Sequence, residues 1–220
     1  MTTALVVRTP ERCPAFLEDA EVLRVLEAAQ ARWQGETRPC RRFQAHRDLA
    51  LVLALFHTGV RIGEACRLMW NDVDFVNATV RVPTAKKRKA SWRVVPVPAE
   101  LTSALLLYRH EGEAHVRGVH DGKAALQCRI RRPFEVSPGR AWARLRRLMT
   151  DAGVDARRAH PHVFRHTYAV RAVRVGMPPM MLARLLGHSS PTVTMVYYHL
   201  LGSDVRPFVE RMRVLRRAEG

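Results

Sequence analysis

The chain has 220 residues, 47% of them hydrophobic, and carries 37 Lys and Arg against 20 Asp and Glu, a formal net charge of +17. That length makes one medium globular domain with short tails, and the charge predicts attraction to a polyanion, with nucleic acid ahead of an anionic membrane. No stretch approaches the ~18 apolar residues of a membrane span, and the amino terminus lacks the pattern of a secretion signal.

Four cysteines (Cys13, Cys40, Cys66, Cys128) lie far apart without a Cys-x-x-Cys pair, which argues against a zinc ribbon or a redox motif and for reduced thiols in the cytosol. Lysine is confined to Lys86, Lys87, Lys89 and Lys123. The remaining basic residues are arginines, whose planar fork suits bidentate phosphate contacts, although a GC-rich genome would give the same bias.

In chain order, residues 15–33 place Val22, Leu26 and Ala29 on one face of a predicted helix, and residues 46–56 read as a largely buried one that Gly59 breaks. A short helix is expected from about Arg61 through Glu64 to Leu68. Arg61 then sits near a helix start, where backbone amides favour anions. From Asp72 to Pro98 the period changes, and Val73 with Phe75, Val80 with Val82, and Val94, Val95 and Val97 predict a small antiparallel sheet. The turn from Thr84 to Ser91 is strongly basic and holds three of the lysines.

Helix is expected again over 99–109, followed by a loop-rich stretch from Glu111 to Gly139. A helix over 141–149 carries Trp142, Leu145 and Leu148 or Met149 along one side and ends at Gly153. His162 opens the next helix and Gly176 closes it. Met180 to Leu186 is a short helix capped by Gly187, and Ser190-Pro191 supplies the cap and first turn of a helix carrying Tyr197. Val205, Phe208, Met212 and Leu215 predict an amphipathic terminal helix that needs a partner surface. The whole reads as mainly α with a small three-stranded antiparallel β-sheet.

His162 and Arg165 are three apart and share a helical face, so both can reach one phosphate. His162 and His166 are four apart, as in a zinc-protease helix, but Val163 stands where that pattern needs a glutamate base. Two arginines and two histidines can surround the non-bridging oxygens of a phosphodiester, and a tyrosine hydroxyl can attack phosphorus. That chemistry needs no metal ligands.

The motifs Thr58-Gly59-Val60-Arg61-Ile62-Gly63-Glu64, His162-Val163-Phe164-Arg165, Leu186-Gly187-His188 and Thr194-Met195-Val196-Tyr197-Tyr198-His199 occur in an order that closely resembles the tyrosine recombinases, or phage-type integrases. The resemblance spans about residues 15 to 212. It implies the catalytic-domain fold of that family and a site of Arg61, Lys86, His162, Arg165, His188 and Tyr197, with Glu64 as a buttress. Lys87 or Lys89 are alternatives to Lys86, because the turn is about two residues longer than the family's. Tyr197 rather than Tyr198 fits the Thr-x-x-Tyr-x-His pattern.

The implied reaction is cutting and rejoining of double-stranded DNA through a 3′-phosphotyrosyl intermediate, without cofactor, metal or ATP. Four protomers act on two sites through a Holliday junction, in a cytoplasmic, nucleoid-associated protein. By the same resemblance, 1–14 is a tail and 15–220 the catalytic domain with its terminal helix, without the additional amino-terminal domain of ~100 residues usual in the family. Relaxation of supercoils in the manner of a type IB topoisomerase, and DNA binding without catalysis, are the alternatives.

Overall fold

The computed structural model describes residues 14–83, 91–119, 131–188 and 190–200. Helix α1 spans Asp19–Gly35, α2 Pro39–Thr58 and α3 Ile62–Ala65. A 3-10 turn at Trp70–Asp72 leads into strands β1 (Val73–Asp74), β2 (Thr79–Pro83) and β3 (Trp92–Pro96). Then follow α4 (Ala99–Val119), α5 (Pro138–Asp151), α6 (His162–Arg174), α7 (Pro179–Leu186) and α8 (Pro191–Leu200). The fold is mainly α with a three-stranded antiparallel sheet ordered β1-β2-β3, as the sequence predicts.

Helix α2 is the central strut. Pro39 occupies its first turn, where a missing N–H costs nothing, and Gly59 ends it in a left-handed turn at φ 61. Its buried face, including Leu51, Val52 and Leu55, meets Leu101, Leu105 and Tyr108 of α4 and Leu145, Leu148 and Met149 of α5 in the main core. Burying side chains of this size is worth about 1.5–3 kcal/mol each.

In the sheet, β2 and β3 pair with Val80 opposite Val95 and Val82 opposite Arg93. Valines 80, 82 and 95 face inward, and so does Arg93, a cation on the buried side of a strand. A second cluster joins Ala169, Val170 and Ala172 of α6 to Leu182 and Leu186 of α7 and Tyr197 of α8. The carboxyl-terminal helices therefore have their own small core.

Four local expectations need correction. Helix α2 begins at Pro39, seven residues ahead of the predicted start, and α4 continues to Val119, through the first part of the stretch read as loop-rich. Glu111 holds α4 in place by accepting hydrogen bonds from Trp33 Nε1 at 3.0 Å and Arg42 Nε at 2.9 Å, ties that outweigh the low helix propensity of Gly112. Strand β1 stops before Phe75 because the Asp74 carboxylate accepts the N–H groups of Val76 and Asn77 at 3.0 and 2.8 Å, folding the chain into a turn. Trp142 is not on the buried stripe of α5, which is Ala141, Leu145, Leu148 and Met149. It lies 37% exposed beneath the Arg146 guanidinium.

The predicted amphipathic helix from Val205 to Leu215, and the basic turn with Lys86, Lys87 and Lys89, lie outside the described residues.

Candidate active site

Two helix ends converge. Gly59 follows α2 and Gly187 follows α7, each in the left-handed region (φ 61 and 68) that Cβ-bearing residues avoid. Both positions are also sterically closed: a Cβ on Gly59 would lie 2.7 Å from Tyr168, and one on Gly187 would lie 2.9 Å from Nη1 of Arg93. These tight turns leave the last carbonyls of α2 and α7 facing the same space, with the partial negative charge of two helix ends.

Arg165 fills that space. Its side chain is buried, donating from Nη1 to the Gly59 carbonyl at 2.9 Å and from Nη2 to the Leu186 carbonyl at 2.7 Å. Burial, and then the nearby Arg61, pull this guanidinium down to about 10, so it stays charged at neutral pH.

Arg93 reaches the adjacent carbonyl, donating from Nε to Leu185 O at 2.7 Å. It also meets Glu64 twice, with Nη2–Oε2 at 2.7 Å and Nη1–Oε1 at 3.3 Å. The buried Glu64 carboxylate further accepts the Arg61 backbone N–H at 3.0 Å and Arg61 Nη1 at 3.2 Å, which fixes the start of α3. Burial alone would raise the Glu64 carboxyl, but Arg93, and after it Arg61, hold it below its ordinary value. Arg61 remains 40% exposed, at the mouth of the site.

Helix α8 is pinned by two histidines. His188 Nδ1 lies 2.8 Å from Thr194 Oγ1, and His166 Nδ1 lies 2.8 Å from the Tyr197 hydroxyl. Thr194 and Tyr197 are three apart on α8 and both are buried. His188 is pushed down to about 4, first by burial and then by Arg165, Arg61 and Arg93, which places it within the field of all three arginines. His162 is exposed on the first turn of α6, and its charged form is disfavoured by partial burial and then by Arg165. Tyr198 points away, its hydroxyl donating to the Met177 carbonyl.

Five of the six residues expected at the site, Arg61, His162, Arg165, His188 and Tyr197, thus come together from the residue before α3, from α6, from just after α7 and from α8, while Lys86 lies outside the described residues. Two further members emerge. Arg93 was legible only as a charge in phase with the inward-facing Val95, and His166 only as the histidine one turn beyond His162. Among the described residues no group of three or more His, Cys, Asp or Glu converges as a metal site, and no helix is long and apolar enough to cross a membrane.

Such an arrangement can bind a tetrahedral oxyanion between the buried Arg165 and the half-exposed Arg61 and present a phenol to it. Known proteins share the sequence pattern and the fold that carry it. Residues 15–203 match the model of the phage integrase family. The tyrosine recombinase XerA of Thermococcus onnurineus is 30% identical over 169 residues, covering 77% of this chain and 56% of the relative. A crystal structure of XerA recombinase aligns with a TM-score of 0.63 at 28% identity, over 94% of this chain and 68% of that one. The fold also recurs in XerH site-specific recombinase bound to its difH substrate before cleavage, with a TM-score of 0.67 at 19% identity, over 94% of this chain and 56% of that one. The chain spans little more than half the length of the XerA relative, and within that span the matched residues and the shared fold make it a member of the phage integrase family.

Proposed function

We propose that residues 15–220 act as the catalytic domain of a site-specific DNA recombinase that cuts and rejoins double-stranded DNA. The observation that carries this reading is the buried Arg165. Both of its hydrogen bonds among the described residues run to neutral carbonyls, so its charge is held in place for an anion.

In the proposed reaction a scissile phosphodiester takes its non-bridging oxygens to Arg165 and Arg61. His162 contributes from the mouth of the site. His188, with Nδ1 on Thr194, offers its Nε2. The Tyr197 oxygen bonds to phosphorus, the 5′ oxygen leaves, and a 3′-phosphotyrosyl link stores the ester for resealing by another 5′ hydroxyl. Neither ATP nor metal is needed. A lysine of the 84–90 segment, Lys86 first, protonates the departing oxygen. Glu64 and Arg93 act by holding Arg61 and the end of α7 in position.

The net charge of +17 and the open groove among Arg47, Arg67, Arg132, Arg140 and Arg144 support contact with the DNA backbone. On the same reading four protomers work on two sites through a Holliday junction, the 205–215 segment docks on a neighbouring subunit, and the protein acts at the nucleoid in the cytoplasm.

The test uses nicked duplexes from a randomised pool, enriched for covalent capture by the native chain. A denaturation-resistant adduct is expected from the native protein and Tyr198→Phe, and none from Tyr197→Phe. An adduct that survives Tyr197→Phe refutes the assignment.

A further inference from the structure

The reaction outlined above leaves the phenolic proton without a destination, and one side chain is in place to receive it. We infer that His166 is the general base that takes the Tyr197 proton on Nδ1 as the phenolic oxygen attacks phosphorus. This inference rests on Tyr197 being the nucleophile and adds a catalytic residue to that reading.

Geometry comes first. His166 Nδ1 lies 2.8 Å from the Tyr197 oxygen, the length of a full hydrogen bond, and the rings are tilted by 43° with centroids 6.0 Å apart, so the contact is edge to hydroxyl rather than a stack. The other two histidines of the site are placed differently: His188 has Nδ1 on Thr194, and His162 is exposed. The turn that presents His166 is locked, because the next residue, Thr167, is fully buried, donating to Val163 O at 2.8 Å and accepting from Leu17 N–H at 2.9 Å.

Protonation state agrees. His166 is pushed down to about 4 by burial, and then by His162, His160 and Arg165, so at neutral pH the ring is uncharged and one nitrogen carries a lone pair. The ionisable groups around it are His162 and Arg165 on α6, His160 just before that helix, His188 after α7 and Tyr197 on α8. A phosphodiester bound at Arg165 brings a negative charge that offsets the arginine field. That lifts the ring toward its ordinary range at the moment when it must accept a proton.

The step balances. The Tyr197 oxygen forms the bond to phosphorus, the bond from phosphorus to the 5′ oxygen breaks, the phenolic proton passes to His166 Nδ1, and the 5′ oxygen takes a proton from the lysine proposed above as general acid. Resealing returns both protons.

Two measurements decide the matter. The first follows single-turnover adduct formation on the captured duplexes carrying a 5′-bridging sulfur, whose departure needs no general acid. The native rate is expected to be level from pH 7 to 8 and to fall in more acid solution as the ring takes up a proton. With His166→Ala the rate should fall about a hundredfold or more at pH 7 and then rise about tenfold per pH unit, the signature of a lost general base. An unchanged rate, or a lower rate with the native pH profile, overturns the inference.

The second measurement needs no DNA. Nitrogen-15 spectra of the native protein at pH 7 should show Nδ1 of His166 unprotonated and Nε2 protonated, with the signal perturbed in Tyr197→Phe. A protonated Nδ1 overturns the proposal. If Tyr197→Phe retains the adduct, the nucleophile assignment fails instead, so the two failures are distinct.

Discussion

Glu64 and Arg93 face each other through two N–H to carboxylate contacts, 2.7 and 3.3 Å long, with side chains only 1% and 7% exposed. One comes from α3 and the other from β3, and Arg93 continues to the Leu185 carbonyl at the end of α7. The pair joins the sheet to both ends of the site. Removing one member strands a buried charge, which costs about 3–5 kcal/mol, more than the pair itself contributes. Glu64→Ala is therefore expected to lower unfolding free energy by that amount in urea titrations. Glu64→Gln keeps the shape and an acceptor oxygen and should cost less. A loss below about 1 kcal/mol for Glu64→Ala would show that the Leu185 carbonyl is enough to hold the buried Arg93 charge.

The two glycines at helix ends separate backbone conformation from close approach. Gly153 and Gly187 are both left-handed, at φ 79 and 68, but a Cβ at Gly153 meets nothing within 4 Å, whereas at Gly187 it meets the Arg93 guanidinium at 2.9 Å. Gly153→Ala should cost only the left-handed backbone, about 1–2 kcal/mol. Gly187→Ala should cost more and should also displace Arg93 from Leu185, lowering adduct formation even where the protein is fully folded. Equal stability losses for the two variants would contradict the close approach.

Acid should unfold this protein earlier than its carboxylates alone would. His46, His57, His160, His162, His166 and His188 are all held below their ordinary value, chiefly by burial. The unfolded chain therefore binds more protons than the folded one once pH falls below about 6.5. Stability contributed by these neutral rings is complete above that pH and is lost progressively toward about 4, the value reached by His166 and His188. Glu64, shifted down, adds its loss at still lower pH. The urea midpoint is expected to decline steadily from pH 6.5 to 4, and less steeply in His188→Asn. A midpoint level over that range would mean that the rings are charged when folded.

Much of this architecture is legible in residue order because the signals are local. Gly59 and Gly187 mark helix ends, Ser190-Pro191 opens α8, and the alternating valines 80, 82 and 95 define the sheet. The spacing of His162 and Arg165 on one helical face, and of Thr194 and Tyr197 on another, likewise follows from a fixed period. What escapes is set by contacts between distant segments. The length of α4 depends on Glu111 meeting Trp33 and Arg42, about seventy to eighty residues away in the chain. Arg93 is unremarkable until α7 packs over the strand, and His166 acquires its partner only when α8 folds back onto α6.

Backbone electrostatics give the last prediction. Arg67, Arg132 and Arg140 are exposed along one groove, whereas Arg144 in the same groove is tied to the Asp48 carboxylate, with Nε–Oδ2 at 2.8 Å. Exposed guanidinium groups that neutralise phosphates release counterions, so the logarithm of the DNA association constant should fall linearly with that of salt concentration, by about 0.9 per phosphate contacted. Arg140→Ala is expected to weaken binding uniformly across sequences and to reduce the slope by about one, because the residue contributes charge without reading bases. Arg144→Ala should act differently. It leaves Asp48, which is only 12% exposed, with only the longer 3.7 Å contact to Arg47, and so should lower folding stability more than it changes the salt slope. Fluorescence anisotropy on duplexes of unrelated sequence, from 50 to 300 mM salt, checks both. An Arg140→Ala slope equal to the native one would place the DNA path away from the start of α5.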